Sequence, residues 1–325
     1  MNKDTFASPH GTIHVNQPLT NLSLKYPQGE FIAEEVLPRM SVAKDTDLYF
    51  VFGRQDQDVT NDLVANGSGA AQVAPWKIDA TPTYNCKKRA LKDNLTDTDR
   101  RNADTAVDPE STTTLNLTER IMLNREIRVS GLVTNYANYA ASGNRVTLSG
   151  AQQWDNVAYD PVTTPANAIE RRVSVGKEAI RRNIGMKPNH IIIPAAVAET
   201  VKQDAKIRDL IKYTQSDLLV NGDLPPTLWG MKVLIPGSIR NSANPGQTFS
   251  AADVWGKHVV MFYKSTIPAL RTMSFGFSPE SVGRKAYSWR DPDVSAEQEW
   301  FAVQENIDEI IASYFCAYII KDTIT

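Results

Sequence analysis

The 325 residues carry 35 Lys and Arg against 37 Asp and Glu, a formal net charge of −2, with 42% apolar and 22% charged side chains. That balance excludes a strongly basic nucleic-acid binder and an acidic disordered tail, and the length suits about two domains or one large elaborated one. Cys86 and Cys316 are the only cysteines, so no disulfide framework exists and a reducing, cytoplasmic origin is expected. The first ten residues hold no apolar run of the secretory kind, and the most apolar stretch, 310–320, is far shorter than the roughly 20 residues of a membrane span.

Residues 1 to about 38 scatter Ile13, Val15, Leu19, Leu22 and Leu24 among Pro, Asn and Gly without a sustained period. They read as an extended arm, disordered if isolated, closed and anchored by Phe31-Ile32-Ala33-Glu34-Glu35-Val36-Leu37-Pro38. From 46 to 52, Leu48, Phe50 and Phe52 alternate with Asp47, Tyr49 and Val51, a period-two strand. Residues 56–75 are polar and small, with Asn66-Gly67-Ser68-Gly69 as turn chemistry, and 77–91 return in extended form. Both arms have mixed faces. A lone two-stranded hairpin is marginal in water, so this one needs a neighbour to lie on.

Asp108-Pro109-Glu110 is a strong helix start: a capping carboxylate, a ring that pre-sets φ, then an acid in the first turn. Leu115, Met122, Val129 and Tyr136 follow at heptad spacing, joined by Leu132 and Tyr139, and Gly143 offers a stop. The pattern predicts one helix over 108–143, about 50 Å long. Thr118 and Arg125 occupy seam positions where a coiled coil wants Leu, so the helix is expected across a sheet or a neighbouring subunit rather than in a bundle.

Further on, 145–148 reads as a short strand, 156–164 as a loop, and 166–184 as a helix bearing Arg171, Arg172, Lys177, Arg181 and Arg182. Those cations form a solvated face or, alternatively, a weakly DNA-facing surface. His190-Ile191-Ile192-Ile193-Pro194 is a buried strand running into a helix over 195–204, and 213–223 is loop. Leu228-Trp229-Gly230 turns on its glycine into a strand through Ile235; 259–263 and 270–277 are further strands. Residues 299–321 read as one long apolar extended segment, a central strand with a bulge or bend, packed under the long helix. The fold class is α+β, without internal repeats.

No P-loop, dinucleotide fingerprint, H-E-x-x-H or G-x-S-x-G occurs. Gly67-Ser68-Gly69 reads as a loop tip. His10, His14, His190 and His258 are too scattered for a metal site, and the last two are expected at strand edges or caps. Glu34-Glu35 and Asp291/Asp293 could do acid–base work only if folding buried them together, and Asp291-Pro292-Asp293 reads first as a turn. Cys86 beside Lys87, Lys88 and Arg89 would favour a thiolate if exposed, but no base accompanies it. No catalytic residue, cofactor or metal is expected.

In order, these parts resemble the major capsid proteins of tailed bacteriophages, the Hong Kong 97-type fold. The resemblance is carried by Phe31 to Pro38 and the hairpin behind it, the helix over 108–141, Asn189-His190-Ile191-Ile192-Ile193-Pro194-Ala195, Leu228-Trp229-Gly230-Met231-Lys232-Val233, and 298–321. It implies an N-terminal arm at 1–40, an E-loop hairpin at 41–95, a P-domain at 96–185 with a spine helix at 108–141, an A-domain at 186–285, and a C-terminal strand at 286–325 returning to the P-domain. It implies a structural protein of hexamers and pentamers that forms an icosahedral shell around double-stranded DNA. Assembly would occur in the host cytoplasm, and the product would be the virion capsid. The implied partners are further copies, a scaffolding protein (or an earlier-removed equivalent), a portal protein, a decoration protein and weakly held DNA, with no membrane.

In that family the E-loop reaches over an adjacent subunit. Arg54, Asp56, Asp58, Asp62 and Lys77 are then expected to pair with opposite charges on a neighbour, at about 0–1 kcal/mol each. Val73, Pro75 and Trp76 would carry more of the contact energy. Residues 56–76 contain no Lys, so an E-loop lysine cross-link is not expected. The alternatives are an encapsulin-like compartment shell and, in a different class, a cytoplasmic hydrolase joining His190 or His258 to a distant acid.

Overall fold

The computed structural model describes residues 6–8, 11–15, 31–49, 51–52, 78–102, 108–156, 158–212, 224–244, 246–265, 273–290 and 298–325. Strands β1 (Phe6–Ser8) and β2 (Gly11–Val15) form a small antiparallel hairpin inside the expected arm. A sheet edge met later in the chain supplies the partner that local sequence does not announce. Helix α1 (Ala33–Val36) is short and buries Ala33, Val36 and the following Leu37, so the predicted anchor is real. Strands β3 (Arg39–Ser41), β4 (Thr46–Leu48), β5 (Val51–Phe52), β6 (Ile78–Ala80), β7 (Thr83–Asn85) and β8 (Lys87–Thr96) follow. β4 pairs with β7 and β5 with β6, giving the root of the hairpin. The expected return arm changes partner at Cys86, whose N–H donates to Asp45 O at 2.7 Å, and β8 leaves for a larger sheet.

After α2 (Asp97–Asn102) comes the long helix α3 (Pro109–Val133), opened as predicted by Asp108, whose carboxylate accepts from Glu110 N at 3.2 Å. It stops ten residues before Gly143, and is about 37 Å long rather than about 50 Å. The stop has a cause: Thr134 and Asn135 turn their side chains onto the backbone, and Tyr136–Tyr139 wind as a 3-10 turn. Asn138 Nδ2 and the Tyr139 hydroxyl then donate to the exposed last carbonyls of Leu132 and Val133. Gly143 instead turns the chain into β9 (Arg145–Thr147). The buried stripe also differs from the heptad reading: Leu117 and Ile121 are buried, whereas Leu115 is only half-buried.

Helix α4 (Ile169–Ile184), strand β10 (His190–Ile192) and helices α5 (Ala195–Gln203) and α6 (Ala205–Lys212) are followed by β11 (Thr227–Leu228), β12 (Met231–Leu234), β13 (Ile239–Asn241), β14 (Ala251–Asp253) and β15 (Val259–Phe262). Trp229 and Gly230 both take positive φ, 54° and 76°, which makes the tight Leu-Trp-Gly turn between β11 and β12. Strand β16 (Gly276–Arg290) is far longer than the expected 270–277. Pro279 and Gly283 interrupt its sequence pattern, and register shifts between Glu280 and Lys285 absorb them. Gly276 at its start is required by close approach: a Cβ there would lie 2.4 Å from Ile310 O.

The predicted single strand over 299–321 is three: β17 (Gln298–Ile307), β18 (Ile310–Ile311) and β19 (Ala317–Lys321). Asp308 and Glu309 break the apolar run, Asp308 accepting from Asn85 N and Glu309 pairing with Arg128. The seven-stranded sheet runs β1-β2-β16-β17-β8, with β3 and β18 also on β16; the six-stranded sheet runs β11-β12-β10-β15-β19-β9. α3 lies across β8 and β17, packing Leu117 and Ile121 on Leu95, Ala286, Phe301 and Val303. α4 packs on β15 and β19 of the other sheet, over the main apolar core.

Candidate assembly interface

The hairpin springs from a junction where the arm, α3, β16 and β17 meet. The orphan donors at the start of α1 are taken by Glu126 of α3, which accepts from Ile32 N at 3.0 Å and Ala33 N at 2.8 Å. The same carboxylate accepts from Trp255 Nε1 at 2.6 Å and is fully buried. Burial pushes its pKa up, against the pull of the three N–H donors. Arg125, one of the misfits in the heptad reading, donates to Glu34 at 3.0 Å, to Leu37 O at 3.0 Å and to Ser278 Oγ at 3.2 Å. Arg39 pairs with Glu34, Glu280 and Glu305, and Arg284 reaches Glu305 at 3.5 Å. Burial alone would lower the Arg39 pKa; the carboxylates of Glu305, Glu34 and Glu280 raise it instead. Three guanidinium groups and three carboxylates thus tie four chain segments together.

The hairpin root rests on this junction through Tyr84, Cys86 and Ile310, with Val42, Tyr49 and Phe277 beside them. The Cys86 thiol is buried, donates to Pro279 O at 3.3 Å, and is pushed up in pKa by burial, so it is packed rather than primed. Leu48, at the end of β4, is 53% exposed. The contact residues expected from sequence, Arg54, Asp56, Asp58, Val73, Pro75, Trp76 and Lys77, lie outside the described residues.

The sheet beneath α3 has a second face, on which Tyr287 and Gln304 are buried. There Trp289 and Trp300 stack at 6.5 Å between centroids and 18° between planes, and Lys92 Nζ lies 4.4 Å from the Trp300 centroid. A groove of about 390 Å³ runs beside them between Lys88, Lys92, Tyr287 and Trp289, over Ala90 and Ala302. Sequence reading missed this face. The signal was available: two period-two runs, 285–289 and 298–302, flank the Asp291-Pro292-Asp293 stretch.

The remaining candidates sort differently. The adjacent Glu34 and Glu35 diverge, the latter to Lys232 and, at 3.7 Å, to His190. His190 is not an edge residue: it stands in the middle of the six-stranded sheet, stacked on Phe262. Burial first, then the Lys264 charge, brings its pKa down to about 4. His258 accepts from Asp322 N at 3.1 Å, the expected capping role. On α4, Arg181 and Arg182 both bind Glu178, Lys177 donates to Trp229 O and Arg172 to Asn167, so most of the basic face is engaged within the chain.

This arrangement of anchored arm, hairpin root, long helix on an elongated sheet and second central sheet is the Hong Kong 97-type fold of tailed-phage capsid proteins. No family model matches the chain. It is 28% identical over 307 residues to the major capsid protein of Pseudomonas phage JBD67, covering 92% of this chain and 94% of the relative. It is 26% identical over 249 residues to the major capsid protein of Burkholderia phage BcepMu, covering 77% and 76%. Among solved structures, a phage-related protein from Bordetella bronchiseptica RB50 superposes with a TM-score of 0.69 at 19% identity, over 95% of this chain and 97% of that one. The capsid protein of cyanophage P-SCSP1u superposes with a TM-score of 0.59 at 12% identity, over 93% of each.

Proposed function

We propose that this chain is the major capsid protein of a tailed phage, a structural subunit whose copies close as hexamers and pentamers into an icosahedral shell around double-stranded DNA. The observation that carries this reading is the extent of the likeness: it runs through 92% of this chain and 94% of the major capsid protein of Pseudomonas phage JBD67, rather than through one module of either. The hairpin rooted at β4 and β7 serves as the E-loop, the seven-stranded sheet with α3 as the P-domain, and the six-stranded sheet as the A-domain. Copies meet through repeated heterologous contacts around cyclic axes, and the arm and hairpin multiply the links per subunit. Arg54, Asp56, Asp58, Val73, Pro75, Trp76 and Lys77 make the inter-subunit contact. Scaffolding, portal and decoration proteins act during and after assembly in the host cytoplasm, and the product is the virion capsid.

The test is expression of the chain alone and with a candidate scaffold, followed by electron microscopy of gradient fractions. Closed shells of uniform size are expected, and nucleic acid rather than an enzyme inside phage-derived particles separates a head from a compartment. A persistent monomer under both conditions would overturn the reading. Deleting residues 57–74 should leave a folded subunit that assembles poorly; normal shells from that deletion would remove the hairpin from the mechanism.

A further inference from the structure

Between β12 and β15 the chain makes a detour, 235–258, whose middle is the hairpin of β13 and β14. Among the described residues these two strands pair only with each other. The root is fixed: Val254 N donates to Ser238 O at 3.1 Å, and Ser130 Oγ of α3 donates to Val254 O at 2.7 Å. Ile239 lies opposite Asp253 and Asn241 opposite Ala251, so these four share one face, and Arg240 and Ala252 share the other. Phe249 stands two residues before Ala251, in step with the first face. The large apolar side chains of that face are uncovered: Ile239 is 53% and Phe249 62% exposed. A two-stranded hairpin is marginal in water, and its apolar face stabilises it only when covered.

A second apolar patch is exposed on α4, where Val175 is 46% and Met186, just past the helix, 50% exposed. Arg171, Arg181, Arg182 and Lys187 surround it, against Glu170 and Glu178. Asp253 is the only charged residue on the hairpin face, so the two patches are complementary in sign. They also match in length: Ile239 to Ala243 is about 14 Å of strand, and Val175 to Ile184 is about 14 Å of helix. Within one copy neither covers the other. The hairpin leaves the six-stranded sheet where β12 stops and β15 starts. The end of α4 is tied to the opposite end of that sheet. There Asn183 Nδ2 donates to Asn144 Oδ1 at 2.8 Å and Asn144 Nδ2 to Ala317 O at 2.9 Å, where β19 starts beside the end of β15. The geometry points to a head-to-tail contact between copies, the Ile239 and Phe249 face of one hairpin lying on the Val175 and Met186 patch of the next copy. Such a heterologous contact closes a ring when repeated. It rests on the shell reading above and adds two surfaces, both at the six-stranded sheet.

The experiment joins the two surfaces covalently. The F249C/V175C chain is co-expressed with scaffold, and purified shells are treated with a short bismaleimide and run on a denaturing gel. A ladder from dimer up to hexamer is expected, because each copy offers its hairpin to one neighbour and its helix to the other. The native Cys86 and Cys316 are buried, and wild-type shells serve as their control. Intact shells that give no ladder from either F249C/V175C or F249C/M186C would overturn the contact. Dimers from F249C alone would overturn it too, in favour of hairpin against hairpin. Independently, I239D/F249D should cut the yield of shells by about tenfold or more while the circular dichroism of the purified subunit stays unchanged. A normal yield from that pair would also overturn the contact. If the wild-type chain itself forms no shells, the shell reading fails rather than these surfaces alone.

Discussion

The two sheets of this protein are held by opposite means. In the six-stranded sheet Ile191, Ile192, Val260, Phe262, Ile319 and Ile320 are wholly buried, a core made of apolar side chains covered by α4. The seven-stranded sheet has α3 on one face, a groove on the other, and a partly buried knot of Arg39, Arg125 and Arg284 with Glu34, Glu280 and Glu305 where the arm joins. Apolar burial is non-directional and strong. Buried ion pairs contribute little net energy but penalise any arrangement that leaves a charge alone. The first sheet therefore supplies stability, and the second fixes how the arm, the long helix and the hairpin root meet.

Breaking the first means should cost most. Phe262→Ala should lower the unfolding free energy by about 3–5 kcal/mol in denaturant titration. In the second region Arg125→Ala leaves Glu34 only its pair with Arg39 and removes a donor from the Leu37 carbonyl and Ser278 Oγ, and should cost about 1–3 kcal/mol. Arg125→Met combined with Glu34→Gln should cost less than the two single changes summed, because the pair is removed as a unit. Full additivity of the two would refute the network.

Acid should separate the regions by sign. His190 in the six-stranded sheet titrates at about 4 instead of 6.5, so between those values the unfolded chain binds a proton the folded chain refuses. Its contribution is complete above pH 6.5 and is lost as pH falls to 4, on the order of 3 kcal/mol in all. Glu126 at the junction has a raised pKa, so its contribution is present at low pH and lost as pH rises through that higher value. Denaturant midpoints measured against pH should show a shallower acid slope in His190→Gln. A slope identical to wild type would discard the desolvated imidazole as its source. Smallest of all, Glu178→Ala on exposed α4 should leave the midpoint unchanged, although Arg181 and Arg182 pull that carboxyl down to about 2.

Much of this was legible locally. Asp108-Pro109-Glu110 announced the start of α3, Leu-Trp-Gly announced its turn, and the buried strand at His190 was read from an unbroken apolar run. The errors share a cause. The end of α3, the length of β16 and the splitting of 299–321 depend on side chains that reach groups far away: Tyr139 on Val133, β3 and β18 on β16, Glu309 on Arg128. Arg125 looked like a defect because its partners, Glu34 and Ser278, are 91 and 153 residues away.

By itself the sequence determined the helices and strands whose signals lie within a few residues and the absence of familiar catalytic motifs. Capping, periodicity and turn chemistry are short-range forces, and they act before the chain closes on itself. The tertiary structure alone decided which faces are covered. It brought Arg39, Arg125 and Arg284 together with Glu34, Glu280 and Glu305, shared the C-terminal segment between two sheets, and set Trp289, Trp300 and Lys92 together on one face. Strand register brings residues 11 apart along the chain, Trp289 and Trp300, into one stack, and only long-range pairing sets that register.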